Sequence, residues 1–260
     1  MHILQLECSR AERDFVVADL WEHAVLGIEE DEQPDGRVIL KAWFEFAIET
    51  PAFERYAPQW YRAPEQDWEA LSREQWDTVE VGSRFFLVPE WRDDPPPAGR
   101  MRLAMRPGRA CGTGWAAPTQ LALECMETAV KPGATVLDLG TGAGILAVAA
   151  HLLGAGRIYA CDIDHDATAV ASERFRDEGI EIRTFTGSTR SVRDGSVDLV
   201  IANLNAATLV DLAGEIRRIL APGGKVILSG FRERDLARVR RAWNCEAEAR
   251  EKDGWLALVC

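Results

Sequence analysis

Three glycines in alternate positions, Gly140, Gly142 and Gly144, constrain this chain more than any other feature. They follow a short apolar run, 136–139, and lead at once into the alanine-rich stretch 145–153. A strand that turns this tightly into a helix brings backbone close to a ligand and leaves unpaired N–H groups at the helix start. In the dinucleotide fingerprint, the third glycine stands three residues after the second. Ile145 holds that place here, and the third glycine comes one residue early. This GxGxG form, with Asp138 two residues before the first glycine, reads as an S-adenosylmethionine loop rather than an NAD loop.

The pattern around the loop is strand, helix, strand, helix. Helical periodicity covers 121–130, and strands are expected at 136–139, 157–161, 181–185, 197–202 and 225–228. Between them lie helices at 145–153, 165–177 and 206–220, the second closed by Gly179 and the third by Pro222-Gly-Gly224. The chain ends in an expected antiparallel hairpin, 245–250 against 255–260. Such alternation implies an α/β fold: a Rossmann-like, seven-stranded, mostly parallel sheet with that antiparallel C-terminal hairpin, plus a small N-terminal α+β domain.

The first part of the chain reads differently. It is rich in tryptophan and carries a helix-like segment at 10–26. A strand-like stretch at 38–48 follows, in which Val38, Leu40 and Ala42 alternate with Ile39, Lys41 and Trp43. Pro51, Pro58 and Pro64 suggest little regular structure over 51–68. Residues 81–89 read as a strand, and the turn-rich 93–99 as the bend of a hairpin with 100–105. The expected organisation is a domain at 1–60, a linker at 61–99 and a larger domain at 100–260.

Composition narrows the function class. The net charge of −12 argues against general affinity for nucleic-acid backbones and favours a basic partner. No apolar run approaches a membrane span, and no stretch resembles a signal peptide. The six cysteines (8, 111, 125, 161, 245 and 260) form no CxxC pair and read as reduced thiols of a cytoplasmic protein, with no metal site.

Two further residues extend the candidate site. Asp162 ends the second strand, 22 positions after Gly140, where a carboxylate accepts hydrogen bonds from both ribose hydroxyls of an adenosine cofactor. Asn203 follows the apolar strand 197–202, at the same end of the sheet. It reads either as an amide facing the crevice or as a cap on the next helix. None of the four histidines is placed as a general base.

Gly112-Thr-Gly114 with Thr119, the glycine loop, Asp162-Ile-Asp164, Ala202-Asn-Leu-Asn-Ala206 and 222–230 together resemble the bacterial family that methylates large-subunit ribosomal protein eleven. Asp67-Trp68, Val81-Gly82 and Val88-Pro-Glu-Trp91 extend the resemblance upstream. It implies an S-adenosylmethionine-dependent N-methyltransferase acting on lysine side chains and the N-terminal amine of a basic ribosomal protein. It also implies a substrate-recognition role for the N-terminal domain. Carried over by position, Thr119, Gly140, Asp162 and Asn203 are the expected cofactor contacts, with Asp138 and Gly142 from the loop itself. No obligate catalytic base is implied.

Three departures cluster at the expected acceptor mouth. The family's histidine-containing stretch is here Trp115 to Gln120, with Pro118 in place of a threonine. Cys111 replaces an aromatic residue, and Leu204-Asn205 an apolar pair. The residues alone therefore leave open a different methyl acceptor, or a binding module without catalysis.

Overall fold

The computed structural model describes residues 2–21, 23, 25, 27–33, 35–44, 46–47, 51–62, 76–106 and 114–260. The chain divides into two compact units, Met1–Gln75 and Trp76–Cys260.

The first unit is a four-stranded antiparallel sheet in the order β2-β3-β1-β4, built from β1 (His2–Ser9), β2 (Gly27–Glu32), β3 (Arg37–Phe44) and β4 (Gln59–Arg62). Val38, Leu40, Ala42 and Phe44 of β3 are buried in alternation, as period-two patterning requires. They pack with Leu4 and Leu6 of β1 and with Val16 and Leu20 of helix α1 (Arg13–Trp21). The helix is shorter than the 10–26 reading, and position 26 lies outside the described residues, as does 48 at the end of the expected strand. Residues 51–62 are more ordered than their prolines suggest. A 3-10 turn at Pro51–Tyr56 buries Phe53, and β4 then pairs with β1.

The second unit begins inside the stretch read as a linker. Strands β5 (Val79–Val81), β6 (Phe85–Pro89) and β7 (Met101–Met105) form a small sheet. Val81, Phe85, Leu87, Leu103 and Met105 join one core with helices α2 (Ala117–Ala129) and α3 (Ile145–Leu152). β6 and β7 do not form the expected hairpin. They run parallel, Phe85 beside Met101 through Pro89 beside Met105, because 90–100 carries the chain back before β7 enters.

The main sheet has the order β10-β9-β8-β11-β12-β14-β13. Its strands are β8 (Thr135–Leu139), β9 (Arg157–Asp162), β10 (Arg183–Thr186), β11 (Val197–Asn203), β12 (Leu220–Arg232), β13 (Arg250–Lys252) and β14 (Trp255–Val259). The first five are parallel, and β14 pairs antiparallel with both β12 and β13, as the sequence pattern anticipates. α2, α3 and helix α4 (His165–Asp177) cover one face. Helices α5 (Ala206–Asp211), α6 (Ala213–Ile219) and α7 (Glu233–Trp243) pack on the other. The single helix expected over 206–220 is two, divided at Leu212. α7 escapes the sequence reading because its charged surface hides a buried stripe of only Val239 and Trp243.

One cysteine expectation is overturned: Cys245 and Cys260 form a disulfide, with their Cα atoms 5.7 Å apart. The cause is the antiparallel return of β14. It brings the last residue, which exchanges backbone hydrogen bonds with Val226, beside the chain leaving α7. Cys8, Cys125 and Cys161 are free and buried. Among the described residues, no helix is long and apolar enough to cross a membrane, and no three His, Cys, Asp or Glu side chains cluster as metal ligands.

Trp243 is 5% exposed, and its indole N–H donates to the Leu209 carbonyl at 3.1 Å. Trp243→Ala removes that bond and opens a cavity between α7 and α5. It is expected to lower unfolding stability by roughly 3–5 kcal/mol, read from the urea midpoint.

Candidate functional site

The connections leaving β8 and β11 run to opposite sides of the sheet. Their carboxyl ends therefore part and leave a crevice where open α/β sheets bind ligands. A cleft of about 460 Å³ lies there, within the usual small-molecule range of roughly 300–1,000 Å³. Thr119, Gly140, Gly142, Asp162 and Asn203, expected separately from the sequence, all line it.

The loop after β8 is defined by the backbone. Gly140 and Thr141 both donate N–H to the carbonyl of Cys161, at 2.8 and 3.0 Å. Gly140 has a φ of 76°, and a Cβ there would stand 2.5 Å from Leu204 Cδ2. Glycine thus provides both the left-handed turn and the close approach of the opposite wall. Gly144 is also left-handed, with a φ of 79°, and it serves packing as well. A Cβ at that position would stand 2.7 Å from the Phe175 ring of α4.

Asp138 does not line the cleft. It is 1% exposed beneath the loop, where its Oδ2 accepts from the Thr141 hydroxyl at 2.7 Å and the Ala147 N–H at 3.1 Å. Its Oδ1 has no hydrogen-bond partner. Burial pushes the carboxyl up to about 7, against the two hydrogen bonds that favour its charged form. Asp162 Oδ2 accepts from Gly142 N–H at 3.1 Å and Oδ1 from Asp164 N–H at 3.1 Å. These two bonds fix the carboxylate at the cleft edge while leaving lone pairs on both oxygens. Next to it Ile163, 82% exposed, offers an apolar wall.

Asn203 and Thr119 meet across the cleft. The amide Nδ2 donates to Thr119 Oγ1 at 3.2 Å. The helix-cap reading of Asn203 fails, because Asn205 is the cap of α5 and accepts from Thr208 N–H at 3.0 Å. Gln120 donates to the Trp115 carbonyl at 2.8 Å, and Trp115 is 43% exposed with its ring centroid 5.8 Å from that of Trp76. Residues 107–113, which include the first part of the Gly-Thr-Gly motif, lie outside the described residues, as does Asp67-Trp68. Cys161 is no nucleophile, since burial pushes its thiol up to about 12.

Arg174 is a supporting residue absent from the sequence reading. It is 1% exposed and donates to the Ala143 carbonyl in the loop (3.3 Å), the Ala104 carbonyl in β7 (2.6 Å) and Glu178 (2.9 Å). Its signal is an arginine on the buried stripe Ala167, Ala171, Phe175 of α4. A second orphaned group, the buried Ser229 Oγ of β12, lies on the strand paired with Asn203.

The comparisons with known proteins agree with one another. The family model described as "Ribosomal protein L11 methyltransferase (PrmA)" matches residues 12–260. The ribosomal protein L11 methyltransferase of Symbiobacterium thermophilum is 37% identical over 75% of this chain and 66% of its own length. That of Burkholderia mallei is 35% identical over 92% of this chain and 79% of its own. The crystal structure of the ribosomal protein L11 methylase of Lactobacillus delbrueckii subsp. bulgaricus is similar with a TM-score of 0.65 and 33% identity. It covers 71% of this chain and 97% of that one.

A raised carboxyl pKa means that the folded chain holds a proton which the unfolded chain releases near pH 4. Asp138 therefore favours folding less and less as pH rises from about 4 to about 7, by at most about 1.4 kcal/mol per pH unit, and then levels off. Asp138→Asn is expected to gain stability relative to wild type between pH 5 and pH 8, measured by paired denaturant titrations. A pH-independent difference between the two proteins would contradict this.

Proposed function

The chain belongs to the ribosomal protein L11 methyltransferase family, and from this we infer that it is an S-adenosylmethionine-dependent methyltransferase whose acceptors are amines of a large-subunit ribosomal protein. The observation that carries the reading is the convergence of Thr119, Gly140, Gly142, Asp162 and Asn203 on one cleft. Bound there, S-adenosylmethionine supplies a methyl group already activated on a positively charged sulfur. The chain's own task is then orientation and exclusion of water.

The residues fit that cofactor. The Asp162 carboxylate suits ribose hydroxyls, exposed Ile163 suits the flat face of an adenine, and the loop from Gly140 to Gly142 presents backbone to the amino-acid portion. Asp138 serves beneath the loop as its support rather than as a contact. One N–H of the Asn203 amide goes to Thr119, which orients the group, and its carbonyl oxygen is an acceptor for an incoming amine. A lysine, with a free pKa of about 10.4, must shed its proton to attack, and a desolvated mouth beside Trp115 favours the neutral amine.

Charge supports a basic partner. In the N-terminal unit, the edge strand β2 exposes Glu29, Glu30, Asp31 and Glu32. Glu30 pairs with Arg13 and Glu32 with Arg10, while Glu29 and Asp31 have no ion pair among the described residues. We assign this unit to substrate recognition. The altered segment from Trp115 to Gln120 favours a second reading, in which the cleft serves another acceptor.

Calorimetric titration with S-adenosylhomocysteine is expected to show one site, with no heat from NADH. Asp162→Ala should weaken binding at least tenfold, since hydrogen bonds to charged groups contribute roughly 1.5–3 kcal/mol each. Labelled S-adenosylmethionine should then place acid-stable methyl groups on lysines and the N-terminus of purified ribosomal protein L11. Label on another ribosomal protein would favour the second reading, and absence of homocysteine binding would end both.

A further inference from the structure

A second cavity, of about 320 Å³, lies low on the face of the main sheet that carries α5 to α7. Its origin is the connection from β10 to β11. A parallel crossover usually runs through a helix of a dozen or more residues, which covers the sheet. Here residues 187–196 make the crossing with a single 3-10 turn, Thr189–Ser191. Leu137, Tyr159 and Phe185 are left as the floor, the two aromatics only partly buried.

The walls have one electrical character. Arg157 and Arg193 line the cavity, both exposed and neither in an ion pair among the described residues. Ser191, Thr135 and Ser196 add hydroxyls, and no carboxylate among the described residues lines it. The two nearest in sequence are already engaged, Asp194 with Arg218 and Asp198 with the backbone N–H of the lining residue Thr135. In a chain of net charge −12, an acid-free pocket holding two uncompensated guanidinium groups is set apart from its surroundings. An apolar floor under a cationic rim fits a ligand with an apolar ring or branch and an anionic group.

We propose that this cavity is a second ligand site, separate from the cleft, that takes a small amphipathic anion: a carboxylate, sulfonate or phosphate carried on an aromatic or branched apolar body. The flat floor of Tyr159 and Phe185 receives the apolar body. Arg157 and Arg193 receive the anion, through fork-shaped donors that suit two oxygens at once. The connection also touches both places, since Gly187 and Ser188 line the cleft while Ser191 to Arg193 line this cavity.

Two fluorescent probes test it on the full chain with S-adenosylhomocysteine at saturation. One is 1-anilinonaphthalene-8-sulfonate, and the other is its uncharged analogue N-phenyl-1-naphthylamine. The sulfonate should bind one saturable site, at least tenfold tighter than the uncharged probe. The double variant Arg157→Gln, Arg193→Gln should erase that tenfold preference without changing affinity for S-adenosylhomocysteine. Ser191→Phe, which fills the cavity from the exposed connection, should weaken both probes. No saturable sulfonate site while S-adenosylhomocysteine saturates the cleft, equal binding of the two probes, or an unchanged preference in the double variant would each overturn the proposal.

Discussion

The molecule turns on one buried carboxyl. Asp138 sits near the end of β8 and takes hydrogen bonds from the loop that follows and from the helix beyond it. A polar group sealed from water is tolerated only when its hydrogen bonds are made. The loop is therefore tied to the one conformation that makes them. From the side, Arg174 grips the same loop at Ala143 and links it to β7. The glycines permit the turn, while these two buried charged-type groups choose it. Asp162 then reads the finished loop through the Gly142 N–H and carries its shape to the rim of the cleft.

The order of the strands decides what lies on either side of that loop. Because β8 and β11 are neighbours whose connections diverge, the crevice opens at their carboxyl ends. Thr119 reaches it from α2 and Asn203 from β11, 84 residues apart in the chain and joined by one hydrogen bond. The brevity of the β10–β11 connection has the opposite effect at the lower end of the same face. It leaves aromatic floor uncovered and two arginines without an ion pair among the described residues. Fold economy in one crossover thus produces the pocket that a full helix would have filled.

Much of this was legible before any coordinates. The strand and helix alternation from 136 onward follows directly from apolar period, and α4 matches the expected 165–177. Legibility fails where local pattern is weak or outvoted. α7 has a helical period, but most of its residues are charged and only Val239 and Trp243 are buried. β6 and β7 look like a hairpin because turn residues separate them, although the intervening chain is long enough to reverse twice. The disulfide joins the two ends of the expected terminal hairpin, 245 and 260, but cysteines without a CxxC or framework spacing read as free thiols. Arg174 could be suspected only as a charge on an apolar stripe.

Sequence alone determined the parallel α/β architecture, the glycine loop and the residues that converge on the cleft. Each of these rests on short-range chemistry: apolar period, turn residues and an acid at a strand end. Tertiary structure alone decided that Asp138 is buried beneath the loop and outside the cleft lining, that Asn203 faces Thr119 while Asn205 caps the helix, and that Arg157 and Arg193 line one pocket. Those outcomes depend on which strands become neighbours and on how completely water is excluded between them, and long-range packing sets both.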